Sequence, residues 1–334
     1  MGQPSMGTPA PLRGSELNSK PTAAPASQFE QAGVALSLLV LSFLTTLSTG
    51  AVLMYNFRHG EPPFGASAGF FPIAWVVRHP HEVSGGWTFA LTLLGILTAH
   101  EIGHYAACRV HGVRSSLPWV LPAPTLIGTF GAFIRLRSPV PSRVALLDIG
   151  VAGPLAGMVV ALPALVVGLL LSRPVHLTGF PSATSISVSV PLGLGLAHWV
   201  VGIFDPSLPP LDPNLNPHPV LVAAWIGLFI TSVNLIPAGQ LDGGHIVYAL
   251  SPRLHRWLTH AITLALFVAG TMLWVGWLVW GCFLLAPSLR HPRVPEQPPA
   301  TRWRTWIAAT GLLLFLLTFT PEPFAGGSLM NLLH

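Results

Sequence analysis

The chain is 334 residues long, 51% hydrophobic and only 8% charged, with a formal net charge of +5 and a mean hydropathy of +0.63. These values exclude an ordinary soluble domain, in which about a quarter of the residues are charged, and they point to a polytopic membrane protein. The basic residues are all arginine except Lys20; they sit in connecting segments without interleaved aromatics or a nucleic-acid motif, so no nucleic-acid partner is expected.

Met1 to Gln28 is rich in Pro, Ser, Ala and Gly and lacks the charged start and cleavage site of a secretory signal, so residues 1–30 read as a disordered tail. Six apolar runs follow: Val34 to Phe57, Trp87 to Cys108, Val144 to Leu171, Val220 to Leu241, Ile262 to Leu285 and the shorter Trp306 to Phe319. Each approaches the roughly 20 residues that a helix needs to cross the hydrocarbon layer. A further stretch, Val190 to Phe204, is an interfacial or re-entrant helix or a seventh crossing. Between the second and third runs, the proline-broken Leu117 to Pro124 precedes Gly128-Thr129-Phe130-Gly131-Ala132-Phe133, which alternates small and aromatic residues as a short β-hairpin or re-entrant loop does. The expected class is an all-α polytopic membrane protein with about six transmembrane helices and a small re-entrant β-hairpin. It divides into the tail, a first helix and loop (31–86), a core (87–250) and C-terminal helices (251–334).

Arg109, Arg114, Arg135, Arg137 and Arg143 follow the second run, which assigns that side to the cytoplasm. Arg290, Arg293, Arg302 and Arg304 follow the fifth run and conflict with simple six-span alternation. Either Val190 to Phe204 crosses or that downstream segment breaks the rule.

The second run contains His100-Glu101-Ile102-Gly103-His104, and Glu101 is its one charged residue. Two histidines at i and i+4 project from one helix face and can offer imidazole nitrogens to a single Zn²⁺. Glu101, beside them, suits a general base acting on a water that the metal activates. With 14 histidines in the chain, random order produces this pattern about 0.01 times. Three ionisable groups on one intramembrane helix are also too costly for core filler.

A zinc hydrolase needs a third protein ligand and an open position. Of four aspartates, Asp242 ends an apolar run broken by Pro237 and Gly239. Backbone freed at such a break is tolerated only inside protein or beside a water-filled cavity, which makes it a place to build a site. Asp242 is either that ligand or a helix-terminus residue in a polar loop. Asp148, near Arg143, reads as a favourable charge at a helix N-terminus, and His245 as a solvated or hydrogen-bonded residue or a support for a ligand.

Together these residues resemble the site-2 proteases, intramembrane zinc metalloproteases with HExxH on one transmembrane helix and NxxPxxxLDG on a later one. His100, Glu101 and His104 fill the first motif; Asn234, Pro237, Leu241, Asp242 and Gly243 fill the second, and the likeness runs from about Trp87 to Leu250. HEIGHYAA, the LPAP-x-x-IGTFGAFIR-x-RSP stretch and GQLDGGH are similar to the bacterial and plastid branch related to the chloroplast EGY-type proteases, which lack a PDZ insert. The segment Ser172 to Pro219 is too short for one.

The resemblance implies one Zn²⁺ per chain held by His100, His104 and Asp242, with Glu101 as the base. It implies that Asn234 helps hold an extended substrate or the developing oxyanion, and that the strand Gly128, Thr129, Phe130, Gly131 pairs with an unwound substrate; on pattern alone an ordinary structural hairpin fits equally. Gly150, Val151, Ala152, Gly153, Pro154 and Gly157 resemble the family's Gly-Pro segment and permit close helix approach. The implied partners are a transmembrane protein substrate and the lipid bilayer, with oligomeric state open, in what is expected to be a bacterial cytoplasmic membrane. A metal-ion transporter using the same His/Glu/Asp cluster as a pathway is the competing reading.

Overall fold

The structure is a computed structural model describing residues 28–64, 71–174, 189–212, 214–286, 291–295, 302–324 and 327–330. The expected disordered tail lies outside the described residues except for its last few positions.

Among the described residues, three stretches are long and apolar enough to cross a membrane: most of α1 (Gln28–His59), the run Pro80–Val110 that ends in α3 (Trp87–Val110), and α4 (Arg143–Leu171). Between α1 and α3 lies the short α2 (Pro72–Arg78). Apolar helices gain little by leaving lipid for one another, so their association rests on close packing of small residues. The contacts follow that rule. Gly50 of α1 and Gly86, just before α3, touch each other's helices so closely that a Cβ on either would collide with backbone. Gly103 of α3 is in the same position against Ala152 of α4, while Gly95 faces Val160, so α3 and α4 run antiparallel.

Two strands, β1 (Trp119–Pro122) and β2 (Thr129–Phe133), form the expected hairpin, with Trp119 opposite Phe133, Leu121 opposite Gly131 and a register slip before Pro122. It lies along α1. Ser42 Oγ donates to Val120 O at 3.0 Å, Thr45 Oγ1 to Gly128 O at 2.6 Å and Thr49 Oγ1 to Thr125 O at 3.2 Å. Hydroxyls spaced along one face of an apolar helix thus satisfy carbonyls that lipid could not. The loop at the hairpin tip reaches the middle of α1, so the hairpin re-enters the bundle rather than lying across its end. Gly128 is required there: its φ is +82°, and a Cβ would overlap the backbone of Thr46.

After α4, β3 (Arg173–Pro174) pairs with β4 (Leu215–Asn216) around α5 (Leu192–Phe204), whose 13 residues give about 20 Å of helix, short of a full crossing. α6 (Pro219–Asn234) is buried on nearly every side, which makes it the central helix. Gly168 of α4 seats against Leu221 of α6, and Gly227 of α6 against Ile96 of α3.

The fourth apolar run is not one helix to Leu241. It stops at Asn234, turns through residues 235–241 with Gly239 at φ +59°, and restarts as α7 (Asp242–Leu250). The fifth run is also not one crossing. α8 (Pro252–Met272) and α9 (Gly276–Leu285) fold back on each other, with Gly270 against Leu278 and Gly281 against Phe267. That reversal removes the charge conflict. His291 and Val294 return to α7 and to Leu146 near the start of α4, the end of the bundle where Arg143 lies. Neither a crossing by α5 nor an exception to the arginine rule is needed. α10 (Arg302–Thr318) then packs against α4 and α7, its Gly311 beside Ile246.

The N-terminus of α6 is capped by His218, whose Nδ1 accepts from Val220 N–H at 3.2 Å. This needs a neutral imidazole, and burial together with the nearby Arg173 pushes the His218 pKa down to about 4. A depressed histidine pKa leaves the unfolded state binding more protons between about 4 and the ordinary 6.5, so stability is full above 6.5 and falls as pH drops toward 4. Thermal melts of detergent-solubilised protein are expected to show that fall, and His218→Asn, which keeps a capping oxygen, to flatten it.

Candidate metal centre

His100 and His104 lie one turn apart on α3, facing α4 and the first turn of α7. His100, Glu101 and His104 are 3%, 4% and 5% exposed, so three ionisable groups are buried together. Asp242, 138 residues after His104 in the chain, comes to the same point because the break after α6 turns α7 toward α3. His100 Nε2 lies 3.1 Å from His104 Nε2; Asp242 Oδ2 lies 3.1 Å from the first and 3.2 Å from the second.

This triangle fits a zinc ion. A tetrahedral centre about 2.0–2.1 Å from each donor sets its ligands roughly 3.3 Å apart. The tautomer agrees. His104 Nδ1 lies 2.7 Å from Ile149 O, and a carbonyl only accepts, so Nδ1 carries the proton and a neutral His104 turns its Nε2 lone pair toward the triangle. A second nitrogen and a carboxylate oxygen crowd the same point, and a shared cation there relieves the crowding of electron pairs.

Glycines of α4 form the wall behind the donors. A Cβ on Gly153 would overlap the His104 ring, one on Gly157 would lie 3.3 Å from His100 Cβ, and one on Gly150 would lie 3.2 Å from Asp242 O. This stripe does more than let helices approach: it faces the His100 and His104 side chains and the backbone of Asp242. Pro154 sits in the same turn, and its missing N–H leaves the carbonyl of Gly150 without that helical donor.

The sequence-derived site residues are brought together unequally. Glu101 lies beside the triangle, and the backbone of Ile134, directly after β2, comes up to its carboxylate, so the hairpin leads to that group. Phe130 is 72% exposed. Gly128 and Thr129 are engaged within the fold, Gly128 against α1 and Thr129 through its hydroxyl to Leu121 O at 2.7 Å. Gly131, at φ +101°, donates its N–H to the same hydroxyl oxygen at 3.0 Å. Asn234 is the last residue of α6, half-buried, on the far side of the 235–241 turn from Asp242. Asp148 does more than stand at a helix N-terminus: its Oδ2 lies 3.0 Å from Nε2 of His111, tying the end of α3 to α4. Of the readings open for His245, the hydrogen-bonded one is found: its Nδ1 lies 2.9 Å from Nε2 of His291.

Residues 88–276, more than half of the chain and spanning both motif helices, match peptidase family M50. The chain belongs to that family. It is 31% identical over 252 residues to the probable zinc metalloprotease EGY1, chloroplastic, of Arabidopsis thaliana, covering 72% of this chain and 43% of that protein. The rice protein of the same name (Oryza sativa subsp. japonica) is 31% identical, covering 70% of this chain and 40% of its own length. The probable zinc metalloprotease EGY2, chloroplastic, of Arabidopsis thaliana is 30% identical, covering 71% and 42%. This M50 chain spans less than half the length of these relatives. They are chloroplast proteins, so the expectation of a bacterial cytoplasmic membrane finds no support in them.

Proposed function

We propose that this M50 chain is an intramembrane zinc endopeptidase, a multi-pass membrane protein of about six spanning helices that hydrolyses peptide bonds in or near the transmembrane segments of other membrane proteins. Residues 87–250 form its catalytic core, with one Zn²⁺ per chain on His100, His104 and Asp242. The observation that carries this reading is the convergence of those three donors within 3.2 Å of one another, with Glu101 beside them, inside a bundle of lipid-compatible helices.

Bound there, Zn²⁺ supplies Lewis-acid polarisation of a carbonyl and lowers the pKa of a water to about 7. Glu101 accepts the proton of the attacking water and passes one to the leaving amine. His104, held by Ile149 O, keeps its donor atom aimed at the site through turnover. A helical substrate hides its peptide bonds, so it must be extended before cleavage, and a strand offers the backbone groups that an extended peptide pairs with. β2, running from Phe130 to the backbone beside Glu101, supports that role. Asn234 is our candidate for holding the extended segment or the developing oxyanion. Water enters from the arginine-rich end, since His104 lies about 9 Å of helix from the end of α3 at Val110.

Asp242→Ala is expected to lose zinc and, with it, cleavage of a single-span membrane peptide in proteoliposomes. Stoichiometric zinc and full proteolysis in that variant overturn the ligand assignment. Zinc uptake by wild-type proteoliposomes that leave membrane peptides intact would make the cluster a transport pathway instead.

A further inference from the structure

Asp242 is held differently from the histidines. His100 and His104 share one continuous 24-residue helix, whereas Asp242 opens α7, a nine-residue helix entered through a turn. A helix that short has little stability of its own and takes its position from tertiary contacts. One face is set by Gly243 and Gly244, which sit on the carbonyls of Leu235, Ala238 and Gly239, and another by Gly150 of α4.

The third face is covered by a segment far along the chain, His291–Pro295, between α9 and α10. His291 Nε2 lies 2.9 Å from His245 Nδ1, and its ring stacks on Tyr248, centroids 3.8 Å apart and planes 11° from parallel. Val294 is buried beside Tyr248 and Leu146, and its N–H donates to the Tyr248 hydroxyl at 3.4 Å. The edge of His255 meets the rings of both His291 and Tyr248, and its Nε2 donates at 2.9 Å to the carbonyl of Gly239, inside the turn that leads to Asp242.

Proton positions follow from the acceptors. His291 Nδ1 lies 2.8 Å from Pro292 O, which only accepts, so a neutral His291 is protonated on Nδ1 and offers a lone pair at Nε2. His245 Nδ1–H is therefore the donor in the bond between the two rings. His245 stands one helical turn after Asp242, so this bond opposes rotation of α7 about its axis, the motion that would swing the carboxylate off the donor triangle.

We infer that His291 is a positioning residue for the metal centre, acting through His245 to clamp α7 and so aim Asp242. The inference rests on Asp242 as a zinc ligand. Removing a group that orients a ligand typically costs 10–100-fold in metal affinity, and that is the expected loss for His291→Ala, whereas Gln, whose side-chain oxygen can accept from His245, should stay within about threefold of wild type.

The test is a zinc affinity series by competition with a chelator on the full-length protein in detergent, with melting of the zinc-free protein recorded alongside. The inference predicts a tenfold or greater loss for His291→Ala, recovery in His291→Gln, and zinc-free melting temperatures that do not follow the affinities. Wild-type affinity in His291→Ala, or equal loss in the Ala and Gln variants, overturns it. If His291→Ala does not fold, His245→Asn, which keeps a donor nitrogen near the Nδ1 position, must bind zinc more tightly than His245→Ala; equal affinities overturn the inference. Asp242→Ala run in the same series separates the two claims: unchanged zinc affinity there fails the ligand assignment, while loss there beside a wild-type His291→Ala fails the clamp alone.

Discussion

Glu101→Gln is expected to bind zinc stoichiometrically and to lose cleavage by at least about a hundredfold, the low end of what a positioned general base contributes. The amide is nearly isosteric with the carboxylate, and Glu101 is not one of the three donors that meet within 3.2 Å, so the metal site should survive. What disappears is the carboxylate that, in the proposed mechanism, takes a proton from water and returns it to the leaving amine. Zinc content and cleavage of a membrane-embedded reporter peptide, measured on one preparation, check both halves. Loss of zinc would make Glu101 a ligand; retained cleavage would remove its role as base. In cells, membrane proteomics of wild type against this variant should show the uncleaved substrates accumulating.

Gly153→Ala is expected to be as damaging, though it adds one methyl group to a residue with no chemistry. Overpacking a core ordinarily costs about 1–3 kcal/mol because neighbours shift by a few tenths of an ångström. Here the neighbour is the His104 imidazole, which the new Cβ would overlap, and the ring cannot yield without giving up both its bond to Ile149 O and its place in the donor triangle. Zinc binding should weaken by at least about 100-fold, at the upper end of what loss of ligand orientation costs, and cleavage should fall with it. Gly157→Ala supplies the contrast: its Cβ would lie 3.3 Å from His100 Cβ, a contact that a small shift relieves, and most activity should remain. Equal behaviour of the two variants would show that α4 does not form the wall of the site.

Much of the site was legible in the chain because its first half is local. His100, Glu101 and His104 meet through helix periodicity alone, and an apolar run of helical length carries them into the bundle. Pro237 and Gly239 marked the break that α6 makes before Asp242, and the proline-bounded small and aromatic pattern marked the hairpin. The boundaries that were missed lay where an apolar run says nothing of direction. Ile262 to Leu285 reads as one span, yet α8 and α9 fold back at residues 273–275 because Gly270 and Gly281 admit Leu278 and Phe267. Hydropathy is blind to that reversal, since both arms are equally apolar.

The sequence by itself determined the membrane class, the paired histidines with Glu101 beside them, and the second motif that contains Asp242, because helix spacing and the cost of charge in lipid are properties of short segments. Only the tertiary structure decided that Asp242 reaches those histidines, that Gly153 and Gly157 press on the imidazoles, and that His291 returns to brace α7. Those relations depend on how helices distant in the chain approach one another, and close approach in an apolar bundle is set by small side chains on both partners at once, which no single stretch of sequence contains.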